Sequence, residues 1–230
     1  MSANGIIKTT HLDKIFPIAG EDFYALKQID LQFEKGEFTG IVGPSGSGKT
    51  TLLNILGSLD KPTNGQISFL GEDITDISAK KSAALRCGKI GFIFQTYNLL
   101  PVYSVYENLE LPLILLKMSA TEKKKAIMDS LDWVGLTDKK DSKPAQLSGG
   151  QCQRVAIARA MVKMPQVILA DEPTANLDSE NSHIILKTME NINRESQTTF
   201  LFSTHDDKVI GYLKRKITLV DGSIENDETF

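Results

Sequence analysis

Gly43-Pro44-Ser45-Gly46-Ser47-Gly48-Lys49-Thr50 fits the pattern GxxxxGK[ST], after the apolar run Phe38 to Val42 and ahead of the helical pattern Thr51 to Leu56. Glycines allow consecutive backbone N–H groups to turn inward around phosphate oxygens, and a helix start adds partial positive charge at the same spot. Ser45, Gly46, Ser47 and Gly48 are therefore candidate phosphate ligands, and Lys49 adds a mobile full charge. Thr50 is placed to set its hydroxyl on Mg²⁺, and Thr51 to add a further phosphate contact. A glycine-rich turn can match this pattern by accident, but the strand before it and the helix after it supply the context the chemistry needs. Alone, the motif denotes a nucleotide and suits kinases, GTPases and motor ATPases equally.

A second glycine-bearing turn, Leu147-Ser148-Gly149-Gly150-Gln151, is followed by Cys152-Gln153-Arg154 and the helical run Val155 to Met161. It is another anion-binding helix start. One phosphate loop suffices for one nucleotide. A second, about 100 residues away, makes sense if it closes over the γ-phosphate held by another copy, with the Ser148 hydroxyl and the Gly149 and Gly150 amides as donors. That arrangement predicts a dimer with ATP sandwiched between its subunits.

Elements must hold these groups together. Three apolar, strand-like runs end on polar residues: Phe38 to Val42 at the phosphate loop, Val167 to Ala170 at Asp171-Glu172, and Thr199 to Phe202 at Ser203-Thr204-His205. The carboxyl ends of such strands converge on the ligand crevice of a parallel α/β sheet. Ser119 to Val134 reads as a helix, with a Ser119/Glu122 capping box, an apolar face of Ile127, Leu131 and Val134, and Gly135 as the stop. Trp133 is expected to pack nearby. The stretch 97–161 reads as mostly helical, whereas the first 36 residues and the Asn64-Gly65 and Leu70-Gly71 neighbourhoods read as short strands and turns. The expectation is one α/β core domain over 1–230, with a β-rich flank and a helical subdomain at about 97–161.

Composition narrows the class. With 41% hydrophobic and 24% charged residues in a 230-residue chain, a buried core is affordable and dominant disorder is excluded. Net charge is −3, which supplies no basic field for nucleic acid or an anionic membrane. Cys87 and Cys152 lie far apart with no second ligand nearby, so neither a disulfide framework nor a zinc site is indicated and a reducing, cytosolic setting fits. No apolar run approaches the ~18 to 20 residues of a membrane span, and the start of the chain lacks a signal-peptide core. No repeat of solenoid length or sustained heptad is present.

With Leu147-Ser148-Gly149-Gly150-Gln151 in its order after the phosphate loop, the chain resembles the ATP-binding cassette (ABC) ATPases, a branch of the P-loop NTPases, over nearly its whole length. The resemblance implies that Asp171, at the end of the Walker B strand Val167 to Ala170, holds Mg²⁺ through water, and that Glu172 is the base that polarises the attacking water. Without such partners an Asp-Glu pair after a strand is also compatible with a solvated turn. Gln95, after Ile90 to Phe94, resembles the glutamine that reaches Mg²⁺ and the attacking water while linking core to helical subdomain. His205 resembles the switch histidine that donates to the γ-phosphate, whereas His11 and His183 have no such context. Asp178, in Ala175-Asn176-Leu177-Asp178, resembles the carboxylate that passes information between the two sites. Phe16 is the candidate adenine-stacking aromatic, with Phe23 and Tyr24 nearby and a core role the alternative; the family often has Tyr there. Cys152 stands where the related branch commonly has Gln, with a small packed residue as its simpler role and altered thiol sensitivity as the other.

The segment Tyr97 to Asn108 is apolar and aromatic for a connection, and is equally suited to packing internally and to forming a groove for a partner helix. In ABC transporters a permease docks in this region. Gly57 to Thr63, Gly91 to Gln95 and Asn98 to Pro101 give most likeness to the MacB/LolD/FtsE branch. That likeness implies a homodimeric ATPase using ATP and Mg²⁺ on the inner face of the cell membrane, driving a separate, FtsX-like permease for lipoprotein release, drug or peptide export, or related mechanical transmission. The opposing class is a soluble ABC-type ATPase of a cytosolic repair or assembly machine. The single cassette, the absence of heptads and the acidic balance disfavour it, and no nucleic-acid partner is expected. Lys123-Lys124-Lys125 and Lys139-Lys140 read as solvated faces.

Overall fold

The computed structural model describes residues 5–18 and 20–230. Strands β1 (Gly5–Ile18) and β2 (Glu21–Glu34) form a long antiparallel hairpin, and β3 (Phe38–Val42) leads into helix α1 (Lys49–Leu56). Then come β4 (Asn64–Phe69), β5 (Glu72–Asp73), α2 (Ala79–Gly88) and β6 (Ile90–Ile93). Helices α3 (Val105–Ile114), α4 (Ala120–Trp133) and α5 (Gly149–Met161) fill the stretch expected to be helical. The chain closes with β7 (Val167–Asp171), α6 (Ser179–Ser196), β8 (Thr199–Thr204), α7 (Asp207–Ile210), β9 (Arg215–Val220) and β10 (Ser223–Thr229).

The central sheet has the order β10-β9-β3-β8-β7-β6, parallel except for β10 at one edge. Its strands are apolar on both faces because both are covered. Phe38, Val42, Ile168, Ala170, Phe200 and Phe202 pack toward the helices of 105–196, while Ile41, Val167, Leu169, Leu201 and Ile217 pack with α1 and the flanking sheet. Successive side chains thus serve opposite cores, the period of two that a strand imposes. The flanking sheet, β2-β1-β4-β5, is antiparallel.

The flank differs from the short strands expected: β1 and β2 run 14 residues each, with residues 1–4 and 19 lying outside the described residues. The alternation is interrupted by bulges, with register shifts between Thr9 and Leu12 and between Leu12 and Lys14, and positive φ at His11 (45°) and Gln28 (48°). Each bulge displaces the apolar pattern by one residue, so one long strand imitates two short ones. Buried Asp13 stabilises the irregularity by accepting from Gln28 N (2.8 Å) and Asn64 Nδ2 (3.3 Å). The Gln28 backbone N–H chiefly holds its carboxyl below the usual range, against the opposing effect of burial.

Helix α4 begins as expected. Ser119 Oγ accepts from Glu122 N (3.3 Å), Glu122 Oε2 accepts from Ser119 N (2.8 Å), and Gly135 (φ 63°) follows the helix. Ile127, Leu131 and Val134 are buried, and Trp133 is half-buried against the same core. Among the described residues no helix is long and apolar enough to cross a membrane, and Cys87 and Cys152 are free.

Candidate functional site

The phosphate loop is a turn that only glycines can make at three places. Gly43, Gly46 and Gly48 have φ of 156°, 80° and 103°, and a Cβ at Gly43 or Gly48 would stand 2.0 Å from Leu219 O or 2.4 Å from Ala25 O. The backbone is thus wedged between β9 and the hairpin. Helix α1 starts on Gly48 with no side-chain cap and no acidic residue in its first turn, so its N-terminal N–H groups remain available to an anion. Lys49, only 7% exposed, lies inside the loop with Nζ donating to Gly43 O and Pro44 O, both at 2.8 Å. Ser47 Oγ is buried with no hydrogen-bond partner. Uncapped donors, a buried ammonium and an orphaned hydroxyl fit a polyphosphate.

Strands β7 and β8 deliver the acid–base groups side by side, with Asp171 in register with Ser203. Thr50 Oγ1 donates to the Asp171 carboxylate (3.0 Å to Oδ2), which brings two hard oxygens of the kind Mg²⁺ takes to one point. Among the described residues no cluster of three or more His, Cys, Asp or Glu forms a metal cage. Glu172 has φ 47°, a strained conformation for a side chain of its size. Its N–H donates to Ser203 O (2.9 Å), its Oε1 lies 2.6 Å from His205 Nδ1, and Thr204 Oγ1 is 3.4 Å from its Oε2.

One cleft of about 380 Å³ is lined by Ser45, Gly46, Gly48, Lys49, Thr50 and Thr51 of the loop and helix start, by Gln95, Glu172, Ser203 and His205 at the strand ends, and by Phe16, Phe23 and Ala25 of the hairpin. Ser47 and Asp171 adjoin it without lining it. Phe16 is 36% exposed and faces this space, so the core alternative does not hold. Phe23 is its cross-strand neighbour on the hairpin; the pairing of two strands, which sequence alone did not register, is what brings it here. Ser203, with a buried Oγ that has no partner, was also missed, although it directly precedes Thr204 and His205 in the strand run. His11 and His183 are exposed and outside the cleft.

The second turn stands apart. Ser148 caps α5: its Oγ accepts from Gln151 N (3.3 Å), and Gln151 Oε1 accepts from Ser148 N (2.9 Å). Gln151, expected among the nucleotide contacts, turns its carboxamide back onto its own helix and so stiffens Ser148. Gly149 and Gly150 open the helix but do not line the cleft. A Cβ on Gly150 would fall 2.3 Å from Asn181 Oδ1, and one on Gly149 3.0 Å from the Tyr97 hydroxyl. Asp178 caps α6, accepting from Asn181 N (2.8 Å) and Nδ2 (2.7 Å); the Asn181 backbone N–H holds its carboxyl below the usual range. Cys152 is buried with Sγ 3.6 Å from Pro144 O, and burial pushes its thiol up. That suits packing rather than reactivity.

The sequence profile described as ABC transporter matches residues 26–175. The chain belongs to the ABC transporter family. Among its relatives are the ABC transporter ATP-binding protein MJ0796 of Methanocaldococcus jannaschii, 43% identical over 227 residues (97% of each chain), and YtrE of Bacillus subtilis, 42% identical over 97% of this chain and 99% of that one. The lipoprotein-releasing system ATP-binding protein LolD of Idiomarina loihiensis is 41% identical over 98% of this chain and 99% of its own. The solved dimeric structure of MJ0796 in a post-hydrolysis state, bound to ADP and Pi, superposes with a TM-score of 0.89 at 42% identity, covering 97% of this chain and 98% of that one. This cassette is accordingly an ATP-hydrolysing subunit of the transporter type.

In the cassette the segment after Gln95 does two things at once. Tyr97 and Asn98 are left-handed (φ 56° and 51°), and Arg159 of α5 grips both carbonyls, at 2.8 and 2.5 Å. Asn176 Nδ2 donates to Gln95 O (2.9 Å). Buried Asn108 holds the next turn through Leu100 N and O and the carbonyls of Tyr103 and Ser104. Val105 and Leu109 point into the core, while Leu100, Val102 and Tyr103 are exposed. Lys125, Lys139 and Lys140 pair with exposed Asp129, Asp138 and Asp141, whereas Lys123, expected on a solvated face, is half-buried and ties α4 to Glu110 of α3.

Proposed function

We propose that the cassette, acting as one nucleotide-binding domain over 1–230 with a helical subdomain at about 97–161, closes as a homodimer around two ATP and two Mg²⁺. The observation that carries this reading is that the uncapped phosphate loop and the Ser148 helix start lie on the same chain but share no cleft. Each site then takes Lys49 and Thr50, with the amides of Ser45 to Gly48 and the Thr51 hydroxyl, from one subunit. Ser148, Gly149 and Gly150 come from the other, with Gln151 setting the Ser148 hydroxyl and Asp178 lying between the two sites.

Phe16 stacks the adenine. Thr50, Gln95 and, through water, Asp171 would hold Mg²⁺, which would neutralise negative charge building on the phosphate oxygens. Glu172 takes the proton of a water as its oxygen attacks the γ-phosphorus, and the bond from that phosphorus to the leaving oxygen of ADP breaks. His205, already against Glu172, donates to the γ-phosphate oxygens as charge moves onto them. Loss of the γ-phosphate removes the group that both subunits hold, and the dimer reopens.

The work so released drives a separate integral-membrane permease of the FtsX-like kind, at the inner face of the cell membrane. Exposed Leu100, Val102 and Tyr103 and a relative named for lipoprotein release support this over a soluble repair or assembly machine. Two measurements test it. Glu172→Gln with ATP should migrate as a dimer in light scattering and lose steady-state turnover; a monomer with ATP bound overturns the shared site. The same variant purified from native membranes with ATP should bring an integral-membrane permease, lost with Leu100→Asp; recovery of soluble partners alone, with membrane complexes intact, favours the cytosolic machine.

A further inference from the structure

The turn Gly57 to Thr63 has no part in the phosphate chemistry, yet it is tied to three successive residues of β1. Thr63 N donates to Asp13 O (2.8 Å), Lys14 Nζ to Asp60 Oδ1 (2.8 Å) and Lys61 O (2.9 Å), and Ile15 N to Thr63 Oγ1 (3.0 Å). The next residue is Phe16. The Lys14 ammonium stands 4.9 Å from the centroid of the Phe16 ring, on a side chain only 12% exposed. Phe16 lines the cleft and Lys14 does not, so the cation braces the ring from outside it. A cation held against an aromatic face is attracted to its π density and draws that density toward itself. The ring is thereby held in one orientation and becomes a better partner for the electron-rich face of a purine.

We infer that Lys14, held by Asp60 and the Lys61 carbonyl, is a positioning residue for the nucleotide base, setting the Phe16 ring on which the base stacks. The inference rests on the stacking role proposed for Phe16. It also gives the turn a mechanical purpose. Leu59 N and Asp60 N both donate to Asn54 O (2.8 and 3.2 Å), so the turn continues the end of α1, whose start carries the phosphate loop. One helix of eight residues, about 12 Å long, therefore holds the phosphate grip at one end and, through Asp60 and Lys14, braces the base platform at the other.

The test compares ATP with inorganic tripolyphosphate, which has no base, by calorimetric titration of the whole chain with Mg²⁺. Lys14→Met should weaken ATP about five-fold, raise KM in proportion, leave kcat at saturation within about two-fold and leave tripolyphosphate unchanged. Lys14→Arg should restore ATP binding, because a guanidinium also stacks on a ring. In a Phe16→Ala background Lys14→Met should add nothing. Equal weakening of ATP and tripolyphosphate would show a mere tie between turn and sheet and overturn the inference, as would unchanged ATP affinity in Lys14→Met when Phe16→Ala weakens it. Full ATP affinity in Phe16→Ala removes the stacking role itself. Should Lys14→Met fail to fold, Asp60→Asn carries the same test, with about two-fold weakening of ATP alone expected and the same equal or absent effects overturning the inference.

Discussion

The two glycine-bearing turns look alike in sequence and are built differently. Around Gly43 to Thr50 the glycines take positive φ, the loop is wedged against Ala25 and Leu219, and α1 is left uncapped. At Ser148 the helix is closed by a reciprocal Ser148/Gln151 cap, and its glycines are helical residues packed against Asn181 and Tyr97. In the proposed dimer the first turn bends around a phosphate within its own chain, and the second, a helix end stiffened by its cap, takes one from a second copy. A glycine can therefore be required for its φ or for the neighbour it lets in, and the two requirements respond differently to substitution.

The largest effect expected is at Lys49. Lys49→Ala should weaken ATP on the order of 100-fold in direct titration, and normal affinity would refute the first turn as the phosphate site. Gly48→Ala comes next, because its Cβ would meet the Ala25 carbonyl at a φ that only glycine takes easily. It should lower ATP binding by about ten-fold or more in the isolated chain. Gly150→Ala meets the Asn181 side chain and no backbone atom among its nearest neighbours, and Gly150 has no positive φ. Monomer affinity for ATP should stay within about two-fold, while ATP-dependent dimerisation and turnover fall about ten-fold; equal loss of monomer binding would erase the distinction between the turns. Gln151→Ala should cost about 0.5 to 1 kcal/mol of stability in denaturant titration by opening the α5 cap.

A last effect, read as a pH dependence of stability and not as a loss of binding, lies beyond the far end of α5. Burial pushes the Lys163 ammonium down to about 8, where its Nζ donates to Arg86 O at 2.5 Å. The unfolded chain binds that proton up to its ordinary value of about 10.4, so stability should rise with pH between roughly 8 and 10.4. Lys163→Met should flatten that rise in urea titrations; an unchanged slope would assign it to other groups.

Legibility follows the same division. Patterns carried by neighbours in the chain were readable: the phosphate loop after its strand, the Ser119/Glu122 cap of α4, and the three strand ends that meet at the cleft. Patterns broken by a backbone detail were not. The bulges at His11 and Gln28 disguised two 14-residue strands as short ones. Phe16 was visible as an aromatic and undecided as a platform, because its exposure depends on a hairpin whose register no local rule supplies.

Sequence by itself determined the phosphate chemistry, the order of motifs and the α/β class, since each depends on residue types at short spacing and on strands apolar on both faces. Tertiary structure alone decided that Glu172 meets His205, that Phe23 joins Phe16 and that Lys14 lies against the ring. Glu172 and His205 stand 33 residues apart on neighbouring strand ends, Phe16 and Phe23 face each other across the hairpin, and Lys14 and Phe16 lie on one strand whose bulges set the faces they share, so strand pairing and register fix which of them touch.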